Sequence, residues 1–172
     1  MKTLTVFTPT YNRAHTLGRV YDSLCRQSCR DFEWMVIDDG STDNTRELVQ
    51  GYIDNGGHDF SIHYIYKENG GLYTGYNTAY ANIETELCVC IDSDDYMPDD
   101  AVEKILKCWK EQGSEKYAGI LGLDYNIATQ ELIGGKFPEG LNEVYFYDLT
   151  LKNLHGGDTK PVLRTALMKE VA

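Results

Sequence analysis

An α/β fold with a mostly parallel central sheet is predicted for this chain by three observations. Four short apolar runs rich in β-formers are each followed by a polar loop and then by a segment of helical periodicity. Strand and helix patterns alternate instead of grouping, which is what parallel strands joined by helical crossovers require. The loops richest in carboxylates and hydroxyls follow the strands, so the chemistry collects on one edge of the sheet, where open parallel sheets bind ligands.

The first run is "TLTVFTP" (3–9), and its helix carries Leu17, Val20, Tyr21 and Leu24 at the spacing of one helical face. "FEWMVID" (32–38) leads to a helix around Leu48, Val49, Tyr52 and Ile53, with Asp43 or Asn44 as its cap. "SIHYIY" (61–66) leads to a helix with Tyr73, Tyr76, Tyr80 and Ile83 along one side, read as a face packed on the sheet. "LCVCI" (87–91) leads to Val102, Ile105, Leu106 and Trp109, with Pro98 in the first helical turn and Asp99 and Asp100 suited to the helix dipole. Past about residue 115 the pattern changes to two strands, 117–126 and 131–137, around a polar turn at Ala128, Thr129 and Gln130. A loop, a short extended piece and the start of a helix follow in "GGDTKPVLRTALMKEVA".

A chain of 172 residues with 42% apolar residues can bury one sizeable core, and no linker or repeat divides it. Sixteen basic residues stand against 27 acidic ones, for a net charge of -11. Without a Lys/Arg cluster, nucleic acid is excluded as a partner, because phosphate backbones are bound through such clusters. The same surplus gives no support for strong attachment to anionic membranes. No stretch approaches the length of a membrane span, and the N-terminus lacks the apolar core of a signal peptide. The chain is thus expected to be soluble and intracellular. Its five cysteines are odd in number and none sits in a C-x-x-C, so reduced thiols in or near the core are expected rather than disulfides or a zinc site.

The strand-end loops read "TPTYNR", "DDGSTDN", "KENGG" and "DSDDYMPDD". Arg13 and Lys67 are the only cations in them, a poor direct cradle for a phosphate. Hard divalent cations choose oxygen ligands and share them with substrate phosphates, which suits these loops better. Asp92 and Asp94, two apart in extended backbone, project to the same side, with Asp95 beside them. A cation held between them and a diphosphate relieves their repulsion. Other readings fare worse. A phosphatase of the haloacid dehalogenase type has its D-x-D after the first strand, followed by Thr or Val; here it follows the fourth, and Tyr96 takes that place. A calcium loop starting at Asp92 lacks its glycine, since Met97 and then Pro98 occupy the turn. Asp99 and Asp100 are read as helix-start residues. Neither G-x-G-x-x-G nor a P-loop occurs.

Taken in order, "TVFTPTYNR", "DFEWMVIDDGSTDNT", "KENGGLYTGYNTAY" and "CVCIDSDDYMPDD" closely resemble family 2 glycosyltransferases over residues 3–110. The resemblance implies the GT-A fold, a Rossmann-like nucleotide-binding sandwich, and transfer with inversion from a nucleotide-sugar, usually a UDP-sugar. It implies a divalent cofactor, Mn²⁺ or Mg²⁺, with Asp94 as main ligand and Asp92 on the metal or the ribose. Thr8, Pro9, Tyr11 and Asp39 would lie near the base. Asp39 also makes sense independently: an ionised carboxylate accepts uracil N3–H and repels the N3 acceptor of cytosine. Arg13, Lys67, Asn69, Gly70, Gly71, Asn77, Ser93 and Asp95 complete the expected donor site. Tyr76 stands where many family members have arginine, so one phosphate partner is missing.

The family's general base comes from the region after the sheet extension, where Asp158 is the well-placed carboxylate and His155 a weaker metal or diphosphate candidate. Residues 1–172 are expected to form one GT-A domain, with 1–115 the donor part and 116–172 the start of the acceptor part. Family members are generally longer, so this chain is expected to be part of a larger enzyme. The implied partners are the nucleotide-sugar and a carbohydrate or lipid-linked acceptor. Polysaccharide, lipopolysaccharide or glycolipid synthesis is the implied setting, in the cytoplasm or peripherally at the inner face of a membrane. The alternative is a nucleotide-sugar-binding module that does not turn over without its base and acceptor site.

Overall fold

The computed structural model describes residues 2–152 and 154–172. In chain order its elements are β1 (Leu4–Thr10), α1 (Ala14–Cys25), β2 (Phe32–Asp38), α2 (Thr45–Asn55), β3 (Ser61–Tyr66), α3 (Leu72–Asn82) and β4 (Leu87–Cys90). There follow α4 (Ala101–Gln112), β5 (Gly119–Leu123), β6 (Tyr125–Asn126), β7 (Glu131–Leu132), α5 (Phe146–Leu151), β8 (Thr159–Arg164) and α6 (Thr165–Val171). The main sheet runs β3-β2-β1-β4-β8-β5. The first four strands pair in parallel and β8 lies antiparallel to β4 through Val162–Arg164.

All seven residues of β1 are buried, as a strand covered on both faces demands. Its alternate side chains feed two cores. Leu4 and Val6, with Trp34, Val36, Leu87 and Val89, meet Leu17, Val20 and Leu24 of α1, Val49 of α2 and Val102 of α4. Phe7, with Met35, Ile37 and Cys88, meets Ala79 and Ile83 at and just beyond α3. Tyr76 and Tyr80 stand edge-on to Phe7, at 5.3 and 5.6 Å between ring centres. Pro9 sits in this central strand without cost to the ladder. Pairing with β4 stops at Phe7↔Cys90, and the last bond on that edge runs from Ile91 N to Phe7 O. Two residues further on, the same edge has no β4 acceptor for the N–H that proline lacks.

Three sequence expectations shift. Helix α4 begins at Ala101 rather than around Pro98, which instead accepts the Ala101 N–H in the preceding turn, with Asp100 at the N-cap. The expected strand 131–137 is only Glu131–Leu132, because Gly134 and Gly135 turn away at φ 78° and 85°. Tyr73 is 87% exposed, so it does not join Tyr76 and Tyr80 on the sheet.

The chain divides into two compact units, Met1–Ile120 with Val162–Ala172, and Leu121–Pro161. In the second, Tyr125↔Leu132 and Asn126↔Glu131 pair as a hairpin, and Asn126 Oδ1 accepts the N–H groups of Ala128 and Thr129 to close the expected turn. Helix α5, which the sequence did not announce, buries Asp148 and Leu149 and leaves Phe146, Tyr147 and Leu151 exposed. No helix among the described residues is long and apolar enough to cross a membrane.

Candidate functional site

The carboxyl ends of β1 to β4 deliver their loops to one rim, and hydrogen bonds between loops assemble it. Asn12 sits at φ 54°, a left-handed conformation that Asn tolerates better than most residues. Its N–H donates to Ser41 Oγ at 2.8 Å, and its Oδ1 accepts Thr42 N at 2.8 Å and Asp43 N at 3.3 Å. Asn44 holds the N-cap position of α2, while Asp43, just before it, accepts Thr45 N and Ala14 N at the start of α1. Burial pushes the Asp43 pKa up, but the hydrogen bonds from Thr45 and Ala14 outweigh it and leave the net value lowered. Asn12→Ala is expected to cost about 2 kcal/mol of stability, from lost bonds and an unfavourable φ. Asn12→Gly should recover part of that, and denaturant titration checks both.

Asp38 and Asp39 are adjacent and do different work. Asp38, 1% exposed, accepts Ser41 N at 2.8 Å and the hydroxyl of Tyr64, so it is a structural anchor. Asp39, 5% exposed, is clasped by the third loop. Its Oδ1 accepts Lys67 Nζ and Gly70 N (3.0 Å), its Oδ2 accepts Gly71 N (2.8 Å), and its carbonyl accepts Asn69 Nδ2 (2.9 Å). Burial alone raises the Asp39 pKa, yet the bonds from Lys67, Gly70 and Gly71 prevail and the net shift is downward. Two glycines are required by this clasp. A Cβ on Gly40, at φ 84°, would lie 2.8 Å from Asn69 N, and Gly71 starts α3 at φ 86°.

The acidic loop is stiffened from behind. Asp95 N donates to Asp92 O, closing a tight turn around Ser93, which is 8% exposed. Ser23 of α1 accepts Met97 N at 3.2 Å. Gln27, 2% exposed, donates to Pro98 O at 2.7 Å and accepts Val102 N at 3.0 Å. Asp99 pairs with Arg26 and Asp100 with Lys104 at the start of α4. Asp94 is exposed and forms no hydrogen bond or ion pair with any other described residue. Among the described residues no three His, Cys, Asp or Glu side chains form a metal cage. Ions bound through one or two carboxylates plus substrate phosphates need none. Asp92, partly exposed, and Asp94 therefore fit such an ion.

The remaining expected residues divide by exposure. Tyr11 is 49% exposed, and the side chains of Arg13 and Asn77 are exposed without a partner among the described residues. Thr8 is wholly buried and its hydroxyl accepts Trp34 Nε1 at 3.0 Å, so it has no side-chain surface to offer a base. Pro9 is buried as well. Lys67, expected in the donor site, has its Nζ on Asp39 and on the Glu68 carbonyl. In the second unit Asp158 is exposed, and His155 lies 5.0 Å from the ring of Phe137 with both ring nitrogens buried and unpartnered. A cavity of about 470 Å³ lies at the other edge of the sheet, between Glu84–Glu86, Trp109 and Arg164. It shares no residue with the rim.

A profile of the family described as Glycosyl transferase family 2 matches residues 5–122. The chain belongs to that family. Glycosyltransferase GlyA of Streptococcus pneumoniae serotype 4 is 35% identical over 104 residues, 60% of this chain and 14% of that protein. Chondroitin synthase of Pasteurella multocida is also 35% identical over 104 residues, 60% of this chain and 10% of that protein. The chain thus spans a small fraction of the length of these relatives. Among solved structures, residues 1–349 of TarS from S. aureus in complex with UDP-GlcNAc superpose with a TM-score of 0.70 at 24% identity, over 99% of this chain and 47% of that one. The mannosyltransferase PcManGT of Pyrobaculum calidifontis, in complex with GDP-Man and Mn²⁺, gives 0.70 at 19% identity, over 98% and 46%. At these identities the likeness is one of fold, and the GT-A expectation holds.

Against the family pattern, Tyr76 is not a surface substitute for arginine. Its hydroxyl donates to Cys90 Sγ at 3.1 Å, and burial, then the Cys90 thiol, hold the phenol well above its usual pKa. Sequence reasoning missed Asn12, Ser23 and Gln27 in this family 2 rim. The available signal was a polar residue continuing an apolar stripe: Gln27 extends Leu17, Val20 and Leu24 by helical spacing.

Proposed function

We propose that this family 2 domain binds a UDP-sugar across its strand-end rim and serves transfer of the sugar, with inversion, to an acceptor hydroxyl in cell-surface polysaccharide, lipopolysaccharide or glycolipid synthesis. One observation carries this reading: an exposed Asp94, unpaired among the described residues, on a loop whose backbone is pinned by Ser23 of α1 and, at its far end, by Gln27 just beyond α1. Stability alone gives no reason to hold like charges so firmly together, whereas a preorganised ligand set does. The UDP-GlcNAc complex of TarS and the Mn²⁺ complex of the mannosyltransferase support it, as does the similarity to a chondroitin synthase.

In this reading Asp39 accepts the imide N–H of the base and Tyr11 offers its ring as a stacking surface. Arg13, Asn69, Asn77 and the backbone at Gly70 and Gly71 lie along the donor. Asp94 and Asp92 would hold Mn²⁺ or Mg²⁺, which supplies Lewis-acid stabilisation of the departing nucleoside diphosphate. Asp95 supports the sugar. The acceptor oxygen bonds to C1 as the C1–O bond to the diphosphate breaks, and the hydroxyl proton passes to a carboxylate base. Asp158, an exposed carboxylate of the second unit, is assigned that role.

Calorimetric titration of UDP, with Mn²⁺ and then with the metal chelated, tests the donor site. Binding is expected only with metal, and Asp94→Ala is expected to abolish it at unchanged melting temperature. Equal affinity in the variant would sink the metal assignment.

A further inference from the structure

The clasp around Asp39 contains more than a fixed turn. We propose that Lys67 is a positioning residue that leaves Asp39 a single free acceptor, and so makes the site read uracil in preference to guanine. The inference rests on the proposed function, in which Asp39 faces the base.

A carboxylate has about four lone-pair positions. On Oδ1 two are filled, by Lys67 Nζ and Gly70 N, with Thr74 Oγ1 also close at 3.5 Å. On Oδ2 one is filled, by Gly71 N. One position on Oδ2 is left. Uracil presents one imide N–H flanked by two carbonyl acceptors, so it asks for one acceptor and is repelled by a second oxygen brought alongside. Guanine presents N1–H and N2–H side by side and is recognised best by both oxygens together. Because Oδ1 is already saturated, guanine would leave a donor unpaired in a nearly buried site, and unpaired buried donors are what make polar sites selective.

Lys67 is the replaceable part of this arrangement. Gly70 N and Gly71 N belong to the backbone, whereas the Lys67 ammonium reaches Oδ1 from a side chain that is itself only 20% exposed and is anchored on the Glu68 carbonyl. The sequence placed Lys67 in the donor site without a stated contact; its geometry gives it a partner in Asp39.

UDP and GDP are titrated, each with Mn²⁺, into the full 172-residue chain and two variants. The unaltered chain is expected to prefer UDP. Lys67→Met frees a position on Oδ1 and is expected to reduce the UDP-over-GDP preference about tenfold or more. Lys67→Arg keeps the charge but offers a planar fork that spans both oxygens. It is expected to lower UDP affinity about tenfold at unchanged melting temperature. A purely structural Lys67 would be rescued by arginine, so UDP binding as tight in Lys67→Arg as in the unaltered chain overturns the proposal. An unchanged UDP-to-GDP ratio in Lys67→Met overturns it too. Both leave the donor site itself standing. Absence of UDP binding by the unaltered chain removes the donor-site reading, and this proposal with it.

Discussion

Asp39→Ala should lower the stability of the chain by about 3 kcal/mol and eliminate UDP binding together. The alanine leaves Gly70 N and Gly71 N without their acceptor and strands the Lys67 ammonium, which is mostly buried. Each unpaired buried donor costs on the order of 1–3 kcal/mol, and relaxation of the exposed third loop recovers part of it. Asp39→Asn is a milder change. Its amide oxygen still accepts one backbone N–H, but its NH₂ opposes either a second N–H or Lys67. The pH dependence follows from the sign of the shift. Since the folded pKa of Asp39 is lowered, its stabilising contribution is fully present above the unfolded carboxylate value of about 3.9 and fades as pH falls through the folded value. Denaturant midpoints measured downwards from neutral pH should therefore fall more steeply below about pH 4 in the unaltered chain than in Asp39→Ala.

The same residue illustrates what the sequence disclosed. Strands β2 and β3 match their expected limits, because each run gives way to polar loop residues, Asp39–Gly40 after β2 and Lys67–Glu68 after β3. The alternation of cores along β1 follows from the period of two. Asp39 was legible as a site residue through the family resemblance and because an ionised carboxylate suits the N3–H of uracil. Its partners were not, since nothing local links position 39 to positions 67, 70 and 71; the register of parallel strands brings them together. The same holds for Thr8, whose burial depends on Trp34 lying beside it on β2. Helix α5 escaped notice because six residues with four aromatic or apolar side chains, most of them exposed, carry no helical stripe.

Gln27→Leu should cost about 2–4 kcal/mol and weaken metal-dependent UDP binding without altering any of the proposed ligand residues. Leucine fits the volume of Gln27 and suits the apolar stripe it extends, so packing gives no reason for the loss. The cost lies in hydrogen bonding. Val102 N, in the first turn of α4, has Gln27 Oε1 as its acceptor at 3.0 Å, and Pro98 O receives Gln27 Nε2 at 2.7 Å. The first N–H groups of a helix have no partner within the helix, so no substitute acceptor is at hand for Val102. Freed of this tie, the segment from Met97 to Val102 keeps the Ser23–Met97 bond, the Ser28–Asp99 backbone bond and the exposed Arg26–Asp99 pair. Amide exchange at Val102 should accelerate in the variant, while exchange in β1 follows only the global loss of stability. If UDP affinity falls in Gln27→Leu with Asp94 intact, the rigidity of the acidic loop, and not only its charge, is part of the site. Affinity equal to that of the unaltered chain would assign Gln27 to stability alone.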